Sequence, residues 1–226
     1  MKPRILIADD HLLVAEGIQK LLESDAEVLG IFSDGRSLVR AVTDTHPDLV
    51  IVDISLPLLN GLDAARQIKQ AHPKIKMLML TMHADQGFVV EAFRVGVSGY
   101  VLKQSLSNEL QHAVREVLKG NTYISPSVAQ GLVEYMNRPA QVQSGEAGGK
   151  GFDRALSPRQ REVLQLVAEG RSTKEIAGIL NVSTKTVEFH RTRIMKELGL
   201  KTRPELTKYA IANGIITVQA VAPSQA

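Results

Sequence analysis

The sequence predicts an α/β doubly wound parallel five-stranded sheet, followed by an all-α module. Over residues 1–120, short continuous apolar runs alternate with longer stretches of helical periodicity. Between Pro139 and Gly151 the apolar period disappears and the chain becomes glycine-rich, as flexible connectors do. From Leu156 to Asn213 the spacing is helical throughout, with no strand pattern.

Taken in order, Ile5-Leu6-Ile7-Ala8 reads as a buried strand, and Leu12, Leu13, Ile18, Leu21 and Leu22 follow at helical spacing. A second strand spans about Val28–Phe32 and ends at Ser33-Asp34-Gly35; Leu38, Val39 and Val42 mark a helix that stops near His46-Pro47. Leu49–Val52 is the third strand, with a helix over Leu62–Ile68 that ends before Pro73. Met77–Leu80 is the fourth, with a helix about Gly87–Val95, and Gly99–Leu102 the fifth, with a helix about Asn108–Lys119. Continuous apolar strands separated by helices predict a parallel sheet covered on both faces. Short right-handed crossovers then favour a flavodoxin-like order such as 2-1-3-4-5.

At 226 residues the chain has room for one large domain or two smaller ones. No apolar run approaches the ~18 residues of a membrane span. The acidic pair Asp9-Asp10 arrives too early for a signal peptide, and a cytoplasmic protein with no membrane partner is expected. The absence of Cys excludes disulfide and thiolate-metal frameworks. Residues 1–120 hold 13 Lys+Arg against 15 Asp+Glu, a net −2, whereas residues 152–214 hold 12 against 7, a net +5. Any nucleic acid is therefore expected at the C-terminal part, although on charge alone a basic solvated surface accounts for the asymmetry equally well.

Ligands of open α/β sheets bind at the carboxyl ends of the strands. Asp9 and Asp10 close the first strand, Asp53 the third, Thr81 the fourth, and Lys103 the fifth. Three carboxylates together call for a cation, and an all-oxygen set suits Mg²⁺. A carboxylate can act as a nucleophile and form an aspartyl phosphate, with the metal and Lys103 offsetting charge on the phosphoryl group. Singly, each residue has a plainer reading, as turn former, helix cap or solvated charge; five at one end of one sheet do not.

The acidic pair, Asp53 with Leu56-Pro57 and Gly61 after it, Thr81, and Ser98-Gly99-Tyr100-Val101-Leu102-Lys103 resemble a response-regulator receiver domain. That resemblance implies that Asp53 accepts phosphate from a sensor histidine kinase. It implies Mg²⁺ held by Asp10, Asp53 and the Ser55 carbonyl with Asp9 assisting, Thr81 and Lys103 on the phosphoryl oxygens, and Tyr100 as the aromatic switch that follows Thr81. Two residues depart from the pattern. Gln104 replaces the Pro of many receivers, so a cis peptide there is not assured. Met82 replaces a small residue and is expected to narrow access to the phosphate.

In the C-terminal part, Ser157 is a helix N-cap with Pro158 at the first helical position, and Val163, Leu164, Leu166 and Val167 follow at core spacing up to Gly170. Ser172 or Thr173 caps a second helix with Ile176, Ala177, Ile179 and Leu180 inward. After the turn Asn181-Val182-Ser183, a third helix runs from Thr184 to Leu198 and ends at Gly199. Two short helices across a tight turn fit helix-turn-helix geometry. On the third helix Val187, Ile194 and Leu198 should pack inward, leaving Lys185, Glu188, Phe189, Thr192 and Lys196 as an outer stripe whose Glu, Phe and Thr suit base edges and whose lysines suit phosphate or guanine. Arg191, Arg193 and His190 flank it as phosphate contacts. Composition alone favours an ordinary charged surface helix; an outward Phe189 weighs against that.

Leu156-Ser157-Pro158-Arg159, Lys174-Glu175-Ile176-Ala177 and Ser183-Thr184-Lys185-Thr186-Val187-Glu188-Phe189-His190 resemble the LuxR-type helix-turn-helix. With the receiver, the order is that of NarL-type response regulators. The resemblance adds Thr186 to the DNA-binding set and implies double-stranded DNA as partner, a homodimer when active, and a fourth helix near Pro204–Asn213 that contributes to pairing. The expected organisation is a receiver at 1–120; a linker at 121–151, with a short helix about 126–136; a DNA-binding domain at 152–216; and a tail at 217–226. An enzyme turning over an aspartyl phosphate is the alternative. Such a phosphatase would carry Asp two residues after the nucleophile, where this chain has Ser55. A phosphorylation-independent regulator is the other alternative; five intact pocket residues argue against it.

Overall fold

The computed structural model describes residues 1–82, 85–136 and 156–216. The chain divides into two compact units, Met1–Gly151 and Phe152–Ala226. The Gly-rich connector and the tail predicted from sequence lie outside the described residues.

In the first unit β1 (Arg4–Ala8), β2 (Glu27–Phe32), β3 (Leu49–Asp53), β4 (Lys76–Thr81), β5 (Gly99–Leu102) and β6 (Tyr123–Ile124) form one sheet. Its order is β2-β1-β3-β4-β5-β6, and every neighbouring pair is parallel. Between and after the strands run α1 (Leu12–Leu22), α2 (Gly35–Thr45), α3 (Gly61–Ala71), α4 (Gln86–Val95), α5 (Leu106–Lys119) and α6 (Pro126–Met136). Strand residues alternate between two buried faces. Ile5, Ile7, Leu49, Ile51, Leu78, Leu80 and Val101 meet Ala15 and Ile18 of α1 and Leu110, Val114 and Val117 of α5. Leu6, Val50, Val52, Met77 and Met79, one residue out of phase, are fully buried on the other side. Burial on both faces is why these strands read as unbroken apolar runs.

The sheet has six strands where the sequence predicts five. Two residues are too short to show a strand period, and β6 exists because tertiary partners hold it. Ser125 N–H donates to the Tyr100 carbonyl at 2.9 Å and Tyr123 N–H to the Ser98 carbonyl at 3.1 Å. Ser125 Oγ accepts from Leu102 N–H at 3.1 Å and donates to Glu109, which also accepts from Tyr123 Oη at 3.2 Å. Helix α6 then packs on α4. The segment expected as linker thus begins as an extension of the sheet.

The second unit consists of α7 (Pro158–Ala168), α8 (Thr173–Leu180), α9 (Thr184–Leu198) and α10 (Arg203–Ala212). α9 and α10 both pack on α7, and α9 also packs on α8. Ser157 and Gln160 form a reciprocal capping box on α7, as Ser172 and Glu175 do on α8, so Ser172 rather than Thr173 is the cap. Asn181 and Gly199 end α8 and α9 in the left-handed conformation that stops a helix. α7 is buried nearly all round, including Gln160, Arg161, Glu162 and Gln165. Arg159 donates to the Leu180 carbonyl at 2.8 Å, which ties α7 to the turn between α8 and α9. Val187 and Ile194 are buried as expected, whereas Ile179 and Leu198 are only half-buried. Leu198 is the last residue of α9, where the packed face meets solvent.

Candidate functional site

The carboxyl ends of β1, β3, β4 and β5 converge, because a parallel sheet places all its strand ends on one edge. Asp53 is the last residue of β3 and Thr81 the last of β4; Asp9 and Lys103 directly follow β1 and β5. Asp9, Asp53 and Thr81 are buried, while Asp10 sits on the exposed rim. Lys103 Nζ lies 2.7 Å from Asp9 Oδ2 and 2.8 Å from Asp53 Oδ2, bridging the two buried acids. Ser55 donates its backbone N–H to Asp53. The chain can fold back over Asp53 because residue 61 is glycine: a Cβ there would stand 2.0 Å from the Asp53 carbonyl oxygen.

Burial pushes the Asp53 carboxyl above the ordinary carboxylate range, with Lys103 pulling against it. Burial also opposes the charged form of Lys103, but Asp53 and Asp9 outweigh it and hold the ammonium above its ordinary range. Tyr100 is wholly buried, hydrogen-bonded to Thr81, and driven upward first by burial. Met82 turns outward, 60% exposed. The bond after Lys103 is trans, since the described backbone has no cis peptide, and Lys103–Ser105 form a short 3₁₀ turn.

Sequence reasoning missed His11. Its Nδ1 lies 2.9 Å from Asp10 Oδ1 and 3.3 Å from Asp9 Oδ1, and its N–H donates to Asp9 Oδ1 at 2.9 Å. One ligand atom from each of Asp9, Asp10, His11 and Asp53 falls within 4.8 Å of the others. Three carboxylates against one ammonium leave a negative pocket of hard donors, which fits a divalent cation.

On α9, Lys185, Phe189, Thr192, Arg193 and Lys196 are exposed, and Thr186, Glu188, His190 and Arg191 half-buried. Phe189 keeps 57% of its surface in solvent. The flanking cations are engaged within the domain: Arg191 pairs with Glu188, and Arg193 lies 3.5 Å from Glu197 and 5.7 Å from the centre of the Phe189 ring. Burial, then Arg159 and Arg193, hold His190 below the ordinary histidine pKa.

Residues 5–115 match the response regulator receiver domain, and residues 154–210 match the bacterial regulatory proteins of the luxR family. The oxygen regulatory protein NreC of Staphylococcus carnosus is 40% identical over 217 residues, covering 94% of this chain and 99% of its own. RcsB of Salmonella enterica serovar Typhimurium, solved bound to promoter rprA with a beryllofluoride phosphomimetic, shares 30% identity at a TM-score of 0.57, covering 92% of this chain and 98% of its own. A structure of two RcsB dimers bound to two parallel DNAs shares 28% identity at a TM-score of 0.58, covering 94% and 99%.

Proposed function

The chain belongs to the DNA-binding response regulators that join a receiver to a LuxR-type helix-turn-helix, and from that premise we propose that Asp53 is its phosphoacceptor and α9 its DNA-reading helix. The observation that carries the first half is the Lys103 bridge: a buried carboxylate at the end of β3, within 2.8 Å of an ammonium that follows β5, two strands away. The Asp53 carboxylate forms an O–P bond as the P–N bond of a kinase phosphohistidine breaks, and the imidazole leaves with the electron pair. Lys103 and Thr81 contact the phosphoryl oxygens. Asp10, Asp53 and the Ser55 carbonyl hold Mg²⁺, with Asp9 assisting; the ion supplies positive charge against the phosphoryl oxygens.

Phosphorylation then shifts the chain toward a homodimer that engages two half-sites on double-stranded DNA, as one short reader helix contacts few bases. A few kcal/mol between the unpaired and paired populations suffice. The chain turns over no substrate beyond its own phosphoryl group.

The test combines acetyl phosphate and Mg²⁺ with intact mass, light scattering and DNA binding. One phosphoryl group is expected on the unmutated chain and none on Asp53→Asn, with a rise in oligomer mass and DNA affinity only for the former. If Asp53→Asn gains a stoichiometric hydroxylamine-labile phosphate, the acceptor is wrong. If phosphorylation changes neither mass nor affinity, the chain works as a phosphorylation-independent regulator.

A further inference from the structure

Glu188 projects from α9 and is fastened on one side from outside that helix and on the other from within it. Thr173 Oγ1, at the start of α8, donates to Glu188 Oε1 at 2.9 Å, and the Arg191 guanidinium donates to Oε2. The Glu188 side chain nevertheless remains 45% exposed, so neither partner covers it. A long flexible carboxylate on a reading helix has two handicaps. It must be ordered before it can discriminate between bases, and it is repelled by the phosphates on either side of the groove. Thr173 removes the first by fixing one oxygen. Arg191 reduces the second by sharing its charge with the other. Each oxygen keeps a second lone pair free to accept.

In the major groove a carboxylate finds its match in the cytosine N4 amine; adenine sets its N6 amine beside the N7 acceptor, which repels the second carboxylate oxygen, guanine offers only acceptors, and thymine an acceptor and a methyl group. We propose that Glu188 reads a C·G pair and that Thr173, on the preceding helix, is the positioning residue that sets it. This rests on the assignment of α9 as the reading helix. Thr173 was visible in the sequence only as a possible cap, a role that Ser172 fills.

The full chain, treated with acetyl phosphate and Mg²⁺, is selected against a randomised duplex library. The unmutated chain should enrich a motif with cytosine at one position. Glu188→Ala should lose that preference by roughly tenfold and keep the rest of the motif. Thr173→Val should weaken the same position alone, with the Tm of the DNA-binding unit little changed, and Thr173→Ser should restore it. An unchanged cytosine preference in Thr173→Val overturns the positioning role. So does an equal loss at all positions alongside a lowered Tm, which marks a purely structural tie. A motif insensitive to Glu188→Ala overturns the proposal but leaves α9 as reader. No motif at all removes the functional reading, and this proposal with it.

Discussion

The Lys103 ammonium lies 2.8 Å from Asp53 Oδ2 and, by the same atom, 2.7 Å from Asp9 Oδ2. One cation thus serves two buried acids, and Asp53 remains under-compensated, with its pKa raised chiefly by burial. A raised pKa in the folded state means that the native chain binds this proton more tightly than the unfolded chain does. The stability is present below the unfolded pKa and lost as pH rises through the folded one. Ionising Asp53 as the pH rises therefore weakens the fold. We expect Asp53→Asn to raise the urea midpoint of the receiver at pH 7 without metal, and the gain to vanish at pH below the ordinary carboxylate range. Saturating Mg²⁺ should shrink the difference by stabilising only the unmutated pocket. A lowered midpoint at pH 7 would contradict this.

Removing the cation should act in the opposite direction. Lys103→Ala leaves Asp9 and Asp53 buried without their shared partner, a change that typically costs about 3 kcal/mol or more. Divalent metal added back should recover part of the loss, since the ion replaces the missing positive charge. Unfolding curves with Mg²⁺ and with chelator measure both effects. Equal destabilisation in the two media would mean that the pocket does not hold the ion.

Tyr100 depends on Thr81 for its hydroxyl partner, and both side chains are wholly buried. Thr81→Val keeps the volume and removes the partner, so the fold should lose roughly 1–3 kcal/mol, the usual cost of an unsatisfied buried polar group. Thr81→Ser should restore most of it. If the pair also transmits the state of Asp53, Thr81→Val loaded with phosphate will fail to dimerise, although its intact mass shows the phosphoryl group. Normal dimerisation in that variant would place the switch elsewhere.

Much of this was legible in the sequence because of where burial falls. Strands β1, β3, β4 and β5 are covered on both faces, so they appear as apolar runs, and the residue that ends each run must sit at the ligand-binding edge. Asp53, Thr81 and Lys103 could be read in that way. β6 could not, as its two residues depend on Ser125 and Glu109, partners that only the folded chain brings together. His11 follows the acidic pair directly, but its contacts with Asp9 and Asp10 appear only once the chain is folded. Gln160 is buried, and it and Arg159 reach partners more than twenty residues away, which no local pattern shows. The Thr173–Glu188 contact joins two helices across fifteen residues, and no local pattern announces it.

If α9 reads DNA as proposed, its outer stripe should separate into residues that discriminate and residues that attract. Phe189 is the exposed aromatic of the helix, and its ring offers contact to a thymine methyl but no charge. Lys185 and Arg193 would supply charge to phosphates, although Arg193 must first leave Glu197, 3.5 Å away. Contacts to phosphate act on every sequence and steepen salt dependence, whereas base contacts change only the preferred sites. Phe189→Ala should therefore reduce the ratio of matched to scrambled binding while leaving the salt slope unchanged. Lys185→Ala should weaken both sites alike and lower the slope by about one unit. Arg193→Ala should show a smaller uniform loss, because breaking the Glu197 pair already offsets part of what the phosphate contact gains. Binding measured at several salt concentrations on both duplexes separates the two classes. A uniform loss for Phe189→Ala, with an unchanged ratio, would move that ring from the reading surface to the packing of the helix.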